Sequence, residues 1–361
     1  MSSPSVESLL GRIRDEVRRE KPYVVDGARA TRVKLNQNES PYDLPPDLKR
    51  ELLEAFFQIP FNRYPSEQPH RLVEAIAGSI DRPAESIIVG NGSNELTYTL
   101  GLCLIEDGRS VVVPRPMFGL YETVIRLFGG HTIPVPPLAD KRFDADGILE
   151  AVRDHQPDLT ILTSPNNPTG RAMEFDEIRR IVEVSDGFVV VDEAYHEFNE
   201  RPSALALMNE HPNVIVMRTL SKAMGLAGLR IGYLTAHPSV ATAFMKSRLP
   251  FMVDPLAEHV GLTLIRHADL VRERVDAIKR QTAELAAELA ALPGVETLPT
   301  DTNFILFRTK HEPGALLERL ADAGVLVRNV SGYADLPGFL RVTAGVEREN
   351  KAFLTALKNA L

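Results

Sequence analysis

Seven short apolar runs recur through the middle of the chain, and they limit its fold more than any other feature. They are SIIVG (86–90), SVVVP (110–114), HTIPVP (131–136), LTILTS (159–164), GFVVVDEA (187–194), NVIVMRTL (213–220) and LRIGYLTA (229–236). Most carry β-branched residues on successive positions, so both faces of the strand are apolar and both must be covered. Helical patterns fall between several of them. The expected architecture is α/β, a mainly parallel mixed sheet between layers of helices.

The 361 residues exceed one average domain. Residues 1–45 mix an amphipathic start with the proline-rich LNQNESPYDLPPD and read as an arm that packs on something else. Residues 46–256 hold the seven runs and form the large domain. Residues 257–361 change pattern: a long amphipathic helix, strand NFILFRT, helix GALLERLADAG, strands VLVRNV and FLRVTAGV, and a final helix. They fit a small α+β domain.

The formal charge of −8 gives no bulk attraction for nucleic acid or an anionic membrane. An anionic ligand must be held by local cations. The single cysteine, Cys103, lies in an apolar stretch and reads as a buried small hydrophobe. The opening residues lack a basic region followed by an apolar run, and no stretch is long enough to span a bilayer, so the cytoplasm is the expected compartment. The nine histidines are scattered, with no HExxH or Cys-His cluster, so no metal is expected.

Four features stand at the carboxyl ends of strands, where ligands bind in such sheets. Asp192 follows the apolar residues Phe188 to Val191. A carboxylate there needs a facing cation, such as a pyridinium, or it caps the next helix. Lys222 lies in TLSKAMGLAGLR among Ala223, Gly225, Ala227 and Gly228, with Thr219, Ser221 and Arg230 nearby. A lysine, hydroxyls and a guanidinium suit a phosphorylated aldehyde; the alternative is an exposed loop lysine. GNGSNE permits a tight turn before a helix that Ser93 or Asn94 can cap, which would make an anion site. Glu95 stands where GxGxxG needs its third glycine, and no P-loop lysine follows. SPNNPTG reads as a turn from which Asn167 could point an amide at a ligand.

In this order and spacing the motifs SKAMGLAGLRIGY, SPNNPTG and VVDEAY resemble those of fold type I pyridoxal-phosphate aminotransferases, from about Tyr23 to Arg348. The resemblance implies pyridoxal 5'-phosphate as cofactor and Lys222 as the Schiff-base lysine and proton carrier. It implies Asp192 at the pyridinium nitrogen, Tyr195 and Asn167 at the ring 3′-oxygen, and Phe118 stacked on the ring. It puts the N–H groups of Ser93 and Asn94, the Ser221 hydroxyl and Arg230 on the cofactor phosphate, with Thr219 assisting.

Within that superfamily, KPYVVDG, LNQNESPY, NRYPSEQPHRL, GNGSNE, DTNFILFR, GVLVRNV and LRVTAG are most similar to the histidinol-phosphate aminotransferase family. That likeness implies a homodimer with shared active sites, in which Tyr64 reaches the neighbouring subunit's cofactor phosphate. It implies Arg328 and Arg341 as the substrate-phosphate arginines, and a substrate pocket shaped by segments holding Tyr23, Asn38 and Asn303. The second substrate would be 2-oxoglutarate, in histidine biosynthesis. One segment departs: PFMVD stands where the family usually has Pro-Phe-Asn-Val-Asn, so Met252 and Asp254 replace two amides at the imidazole side. The other readings are an aromatic amino-acid aminotransferase, a threonine-phosphate decarboxylase, or a non-catalytic cofactor-binding sensor. The presence of Lys222, Asp192 and Arg230 argues against the sensor.

Overall fold

The computed structural model describes residues 5–22 and 31–361. Thirteen strands follow the chain as β1 (Val33–Lys34), β2 (Ile87–Asn91), β3 (Ser110–Pro114), β4 (His131–Val135), β5 (Leu159–Thr163), β6 (Phe188–Asp192), β7 (Val214–Thr219), β8 (Ile231–Thr235), β9 (Glu296–Thr297), β10 (Phe304–Arg308), β11 (Val325–Leu326), β12 (Arg328–Asn329) and β13 (Phe339–Thr343). The seven apolar runs are β2 to β8. They form one sheet in the order β2-β8-β7-β6-β5-β3-β4. Only β8 runs against the others, pairing antiparallel with both β2 and β7. The central strands are buried on both faces: Val111, Val112, Val113, Val189, Val190, Val191, Val214, Ile215 and Val216 have no exposed surface. Each such side chain contributes roughly 1.5–3 kcal/mol on leaving water, which makes this sheet the stable frame of the molecule.

Strand order decides the site. Parallel strands put the carboxyl ends of β2, β3, β5, β6 and β7 on one edge. The reversed direction of β8 brings its beginning, next to Arg230, to that same edge. The sequence reading took no account of this reversal.

A second sheet, β12-β13-β10-β9, is antiparallel. The long helix Ala268–Ala290 and the last helix, Glu347–Ala360, pack on it with the helix Pro313–Asp322, burying Leu285, Leu289, Phe307, Leu320, Phe353 and Leu357. Segment VLVRNV, read as one strand, breaks at Val327. Its first half, β11, pairs with β1 and its second half, β12, with β13. Helix Pro255–Arg266, which the pattern reading did not pick out, packs against helix His70–Ser79. Among the described residues no helix is long and apolar enough to cross a membrane.

Candidate active site

The edge where the strands of the large sheet end gathers the chemistry. After β2 the chain turns through Gly92, whose φ of 79° favours glycine, and enters the helix Ser93–Leu104. Ser93 or Asn94 was expected to cap this helix. The cap residue is instead Gly92, no side chain caps the helix, and Ser93 and Asn94 are its first helical residues. Their N–H groups therefore remain for an anion, aided by the positive end of the helix dipole. A β-carbon on Gly92 would strike the Arg230 guanidinium, and one on Gly232 would strike the Ser93 nitrogen. Glycine at both places lets Arg230 and the helix start converge. Arg230 has a left-handed backbone (φ 53°), strained for a residue with a side chain, and its Nη1 lies 3.5 Å from the Ser221 hydroxyl. Two amide donors, a hydroxyl and a guanidinium thus face one cradle. Thr219 is occupied otherwise: its hydroxyl donates to the Ile231 carbonyl (3.2 Å) and accepts the Ser221 N–H (3.1 Å), building the turn that presents Ser221 and Lys222.

Lys222 follows directly. Its Nζ donates to the Gln37 carbonyl at 3.0 Å and lies 5.9 Å from the Tyr195 ring centre. Burial, and then the nearby Arg341 guanidinium, press its pKa from 10.5 down to about 8. An amine so depressed is a nucleophile near neutral pH.

Asp192, at the end of β6, combines both sequence readings. Its Oδ1 accepts the Ala194 N–H at 3.0 Å, as a cap would, and its Oδ2 accepts the Tyr121 hydroxyl at 2.8 Å. Burial raises its pKa above 3.8 against those two donors, and no ion pair engages it among the described residues. A buried carboxylate with hydrogen bonds but no cation is what a pyridinium nitrogen would complete. The cradle, the depressed lysine and this unpaired carboxylate together fit pyridoxal phosphate.

Asn167, after β5, accepts a hydrogen bond from Arg341 on its Oδ1, so its NH2 group is what a ligand would meet. Tyr195 is buried and its hydroxyl accepts from Asn38 Nδ2 at 2.9 Å. Asn38 and Asn303 are buried behind Tyr195: Asn303 Nδ2 donates to the Asn38 carbonyl at 3.2 Å. Phe118 is half-buried beyond β3, packed on the main core. Tyr64 lies apart, 85% exposed and stacked on Phe251 at 5.0 Å. Tyr23 falls outside the described residues. Arg328 and Arg341 are direct cross-strand partners on β12 and β13. Asp254 is an N-cap: its Oδ1 accepts the Ala257 N–H at 2.9 Å at the start of helix Pro255–Arg266.

Three functional side chains went unread in the sequence. Tyr121, which holds Asp192, is a helical tyrosine in RPMFGLY and looks like a core residue. Asn166 is fully buried; it accepts from the Thr163 hydroxyl (2.7 Å) and donates to the Pro116 carbonyl (2.8 Å) and Thr169 hydroxyl (2.9 Å). It thereby joins the Asn167 turn to the Phe118 turn. Glu95 ties the first turn down, accepting from the Asn91 N–H at 3.2 Å and from Arg248 at 2.6 Å.

Fold and cofactor class are those of the fold type I pyridoxal-phosphate enzymes. The chain belongs to the family described as aminotransferase class I and II, which it matches over residues 30–357. It is 42% identical over 336 residues to the histidinol-phosphate aminotransferase of Chlorobaculum tepidum, covering 93% of this chain and 96% of that one. It is 40% identical over 357 residues to the histidinol-phosphate aminotransferase of Chlorobium chlorochromatii, covering 99% and 97%. Among solved structures, histidinol-phosphate aminotransferase from Sinorhizobium meliloti, in complex with pyridoxal-5'-phosphate, superposes with a TM-score of 0.88 at 25% identity over 97% of both chains.

Proposed function

We propose that this aminotransferase moves the amino group of histidinol phosphate to 2-oxoglutarate, as a cytoplasmic homodimer with shared active sites, in histidine biosynthesis. The relatives named above support the reading, and one observation carries it. Arg328 and Arg341 stand directly opposite one another on β12 and β13. Like charges so placed repel. Among the described residues no ion pair or hydrogen bond engages Arg328, not even with Asp335. Two adjacent guanidiniums suit a phosphate that is nearly dianionic better than a lone α-carboxylate.

Bound pyridoxal phosphate supplies the electron sink that makes Cα–H cleavage possible. This chain's residues do the rest. The neutral Lys222 amine would take the proton from the substrate Cα and hold it for return to the carbon beyond the imine nitrogen. Asp192, held by Tyr121, keeps a proton on the pyridine nitrogen. Tyr195 and the Asn167 amide would donate to the 3′-oxygen, and Phe118 would cover a ring face. Ser93, Asn94, Ser221 and Arg230 would hold the cofactor phosphate, joined by Tyr64 from across the dimer interface. Residues 46–256 form the cofactor domain and 257–361 the small domain, which carries both arginines to the substrate.

The test is Arg328→Ala against two amino donors. A charge-assisted hydrogen bond is worth roughly 1.5–3 kcal/mol, so kcat/KM for histidinol phosphate should fall about 10- to 150-fold. The loss for phenylalanine should be distinctly smaller. Equal losses would mean that Arg328 does not read the second charge and would favour an aromatic amino-acid donor.

A further inference from the structure

Tyr195 has a buried hydroxyl. A phenol oxygen has one hydrogen to give and two lone pairs to receive with. One lone pair is taken by Asn38 Nδ2 at 2.9 Å. The amide of Asn38 is oriented in turn by Thr343 on β13. The Thr343 hydroxyl accepts the Asn38 backbone N–H at 3.0 Å and donates to Asn38 Oδ1 at 3.3 Å. With Oδ1 engaged there, the NH2 group is the end that faces Tyr195. The Asn38 backbone is fixed as well: its carbonyl accepts from Asn303 Nδ2 at 3.2 Å, and its φ is 54°, a conformation asparagine tolerates better than most residues. Phe304 meets the Tyr195 ring edge-on at 5.3 Å and 81°, bracing one side of it. Among the described residues no protein acceptor takes the Tyr195 hydroxyl proton.

We propose that Asn38 is a positioning residue: by donating to the Tyr195 oxygen it turns the hydroxyl proton toward the cofactor's 3′-oxygen. The proposal rests on the reading above that Tyr195 faces that oxygen. An amide N–H cannot accept, so the hydroxyl proton is directed away from Asn38; the Lys222 Nζ lies 5.9 Å from the ring centre. Donation into the phenol oxygen also polarises its O–H bond and makes it the stronger donor. Stronger donation to the 3′-oxygen lowers that atom's basicity and lets the cofactor–Lys222 linkage lose its proton at lower pH. Asn38 is itself held by Thr343 and Asn303, and Thr343 lies two residues beyond Arg341 on β13. The tyrosine's donor direction is thereby tied to the sheet that carries the proposed phosphate arginines. The charged and titratable groups around Tyr195 are Arg341, Asp192, Lys222 and the Tyr333 phenol.

The test is a visible-absorbance titration of the cofactor-loaded protein, without substrate, in four forms: the parent, Asn38→Gly, Tyr195→Phe and the double variant. Glycine accepts the positive φ of position 38, so the backbone is preserved while the amide is lost. Asn38→Gly should raise the titration midpoint by about half to one pH unit, the size of one weakened hydrogen bond. In the Tyr195→Phe background the same substitution should leave the midpoint unmoved, because its effect runs through the hydroxyl. Thr343→Val, which releases the Asn38 amide without removing it, should shift the midpoint in the same direction and also lose its effect in the Tyr195→Phe background. Equal shifts in both backgrounds, or none in the parent, would overturn the role of Asn38. If Tyr195→Phe alone left the midpoint unchanged while the protein still held its cofactor, the placement of Tyr195 would fail first, and this inference with it.

Discussion

The depressed pKa of Lys222 can be measured without turnover. A buried ammonium beside the Arg341 guanidinium is costly, so Lys222 titrates near 8 rather than 10.5. At pH 7 the neutral fraction is then about 9%, against about 0.03% for an ordinary lysine, a gain of roughly 300-fold in available nucleophile. Trace acetylation of the cofactor-free protein across a pH series, with the Lys222 peptide followed by mass spectrometry, reads this directly. The labelling midpoint should lie near 8 in the folded protein and near 10.5 in denaturant. Stability has a definite sign. Below pH 8 both states hold the proton and the folded one bears the whole burial penalty. Between 8 and 10.5 the folded lysine has shed its proton while the unfolded one keeps it, so stability rises with pH, by up to about 3 kcal/mol from this group. Arg341→Met should move the midpoint up, because it removes the largest repelling charge. A folded-state midpoint within half a unit of the denatured one would refute the electrostatic account of the lysine.

The other expectations concern single groups. Asp192→Asn removes a buried anion that has no cationic partner among the described residues; the cofactor-free variant should melt no lower than the parent at neutral pH. The same variant should lose at least ~10²-fold in turnover and most of the thermal gain on adding cofactor, and unchanged single-turnover transamination would reduce Asp192 to a cap. Tyr64→Phe should weaken cofactor retention by about 1 kcal/mol, read by dialysis against cofactor-free buffer; a fully active monomer in sedimentation would defeat the shared-site reading. Asp254→Ala should cost about 1 kcal/mol in chemical denaturation, as loss of an N-cap does, with donor preference unmoved; a changed preference would place Asp254 at the substrate.

What the sequence disclosed was local. Asp192, Lys222, Asn167 and the Gly92 turn each lie within a few residues of a strand whose apolar run is unmistakable, so strand ends and candidate residues were read together. What it withheld depends on pairing. Tyr121 reaches Asp192 across 71 positions, and Thr343 reaches Asn38 across 305. Nothing in the spacing of either pair marks it. The helix cap was misassigned for a different reason. Serine and asparagine favour N-caps in general, but the positive φ at Gly92 starts the helix one residue earlier. Asp254 shows the converse. As a departure from a family pattern it bears on specificity, and its Oδ1 also bonds the first turn of a helix that the apolar pattern had not revealed.

The charge layout of the site follows from the same strand ends. The chain as a whole carries −8, yet Arg230, Lys222, Arg341 and Arg328 are drawn to one edge of the molecule. Cations gathered in a partly buried site raise one another's energy, and the Lys222 pKa, lowered first by burial and then by Arg341, registers part of that cost. The arrangement persists because stable elements impose it. The buried valines of β6 and β7 fix where the loops begin, and the register of β12 on β13 fixes the two arginines. Such a site would be completed by anions. The cofactor phosphate would answer Arg230 and the helix start, and the substrate phosphate would answer Arg341 and Arg328. A ligand with only one anionic group would leave the second guanidinium of that pair unmatched. The preference for a phosphorylated donor would therefore arise as much from relief of repulsion between Arg328 and Arg341 as from new contacts, and it should weaken as added salt screens that repulsion.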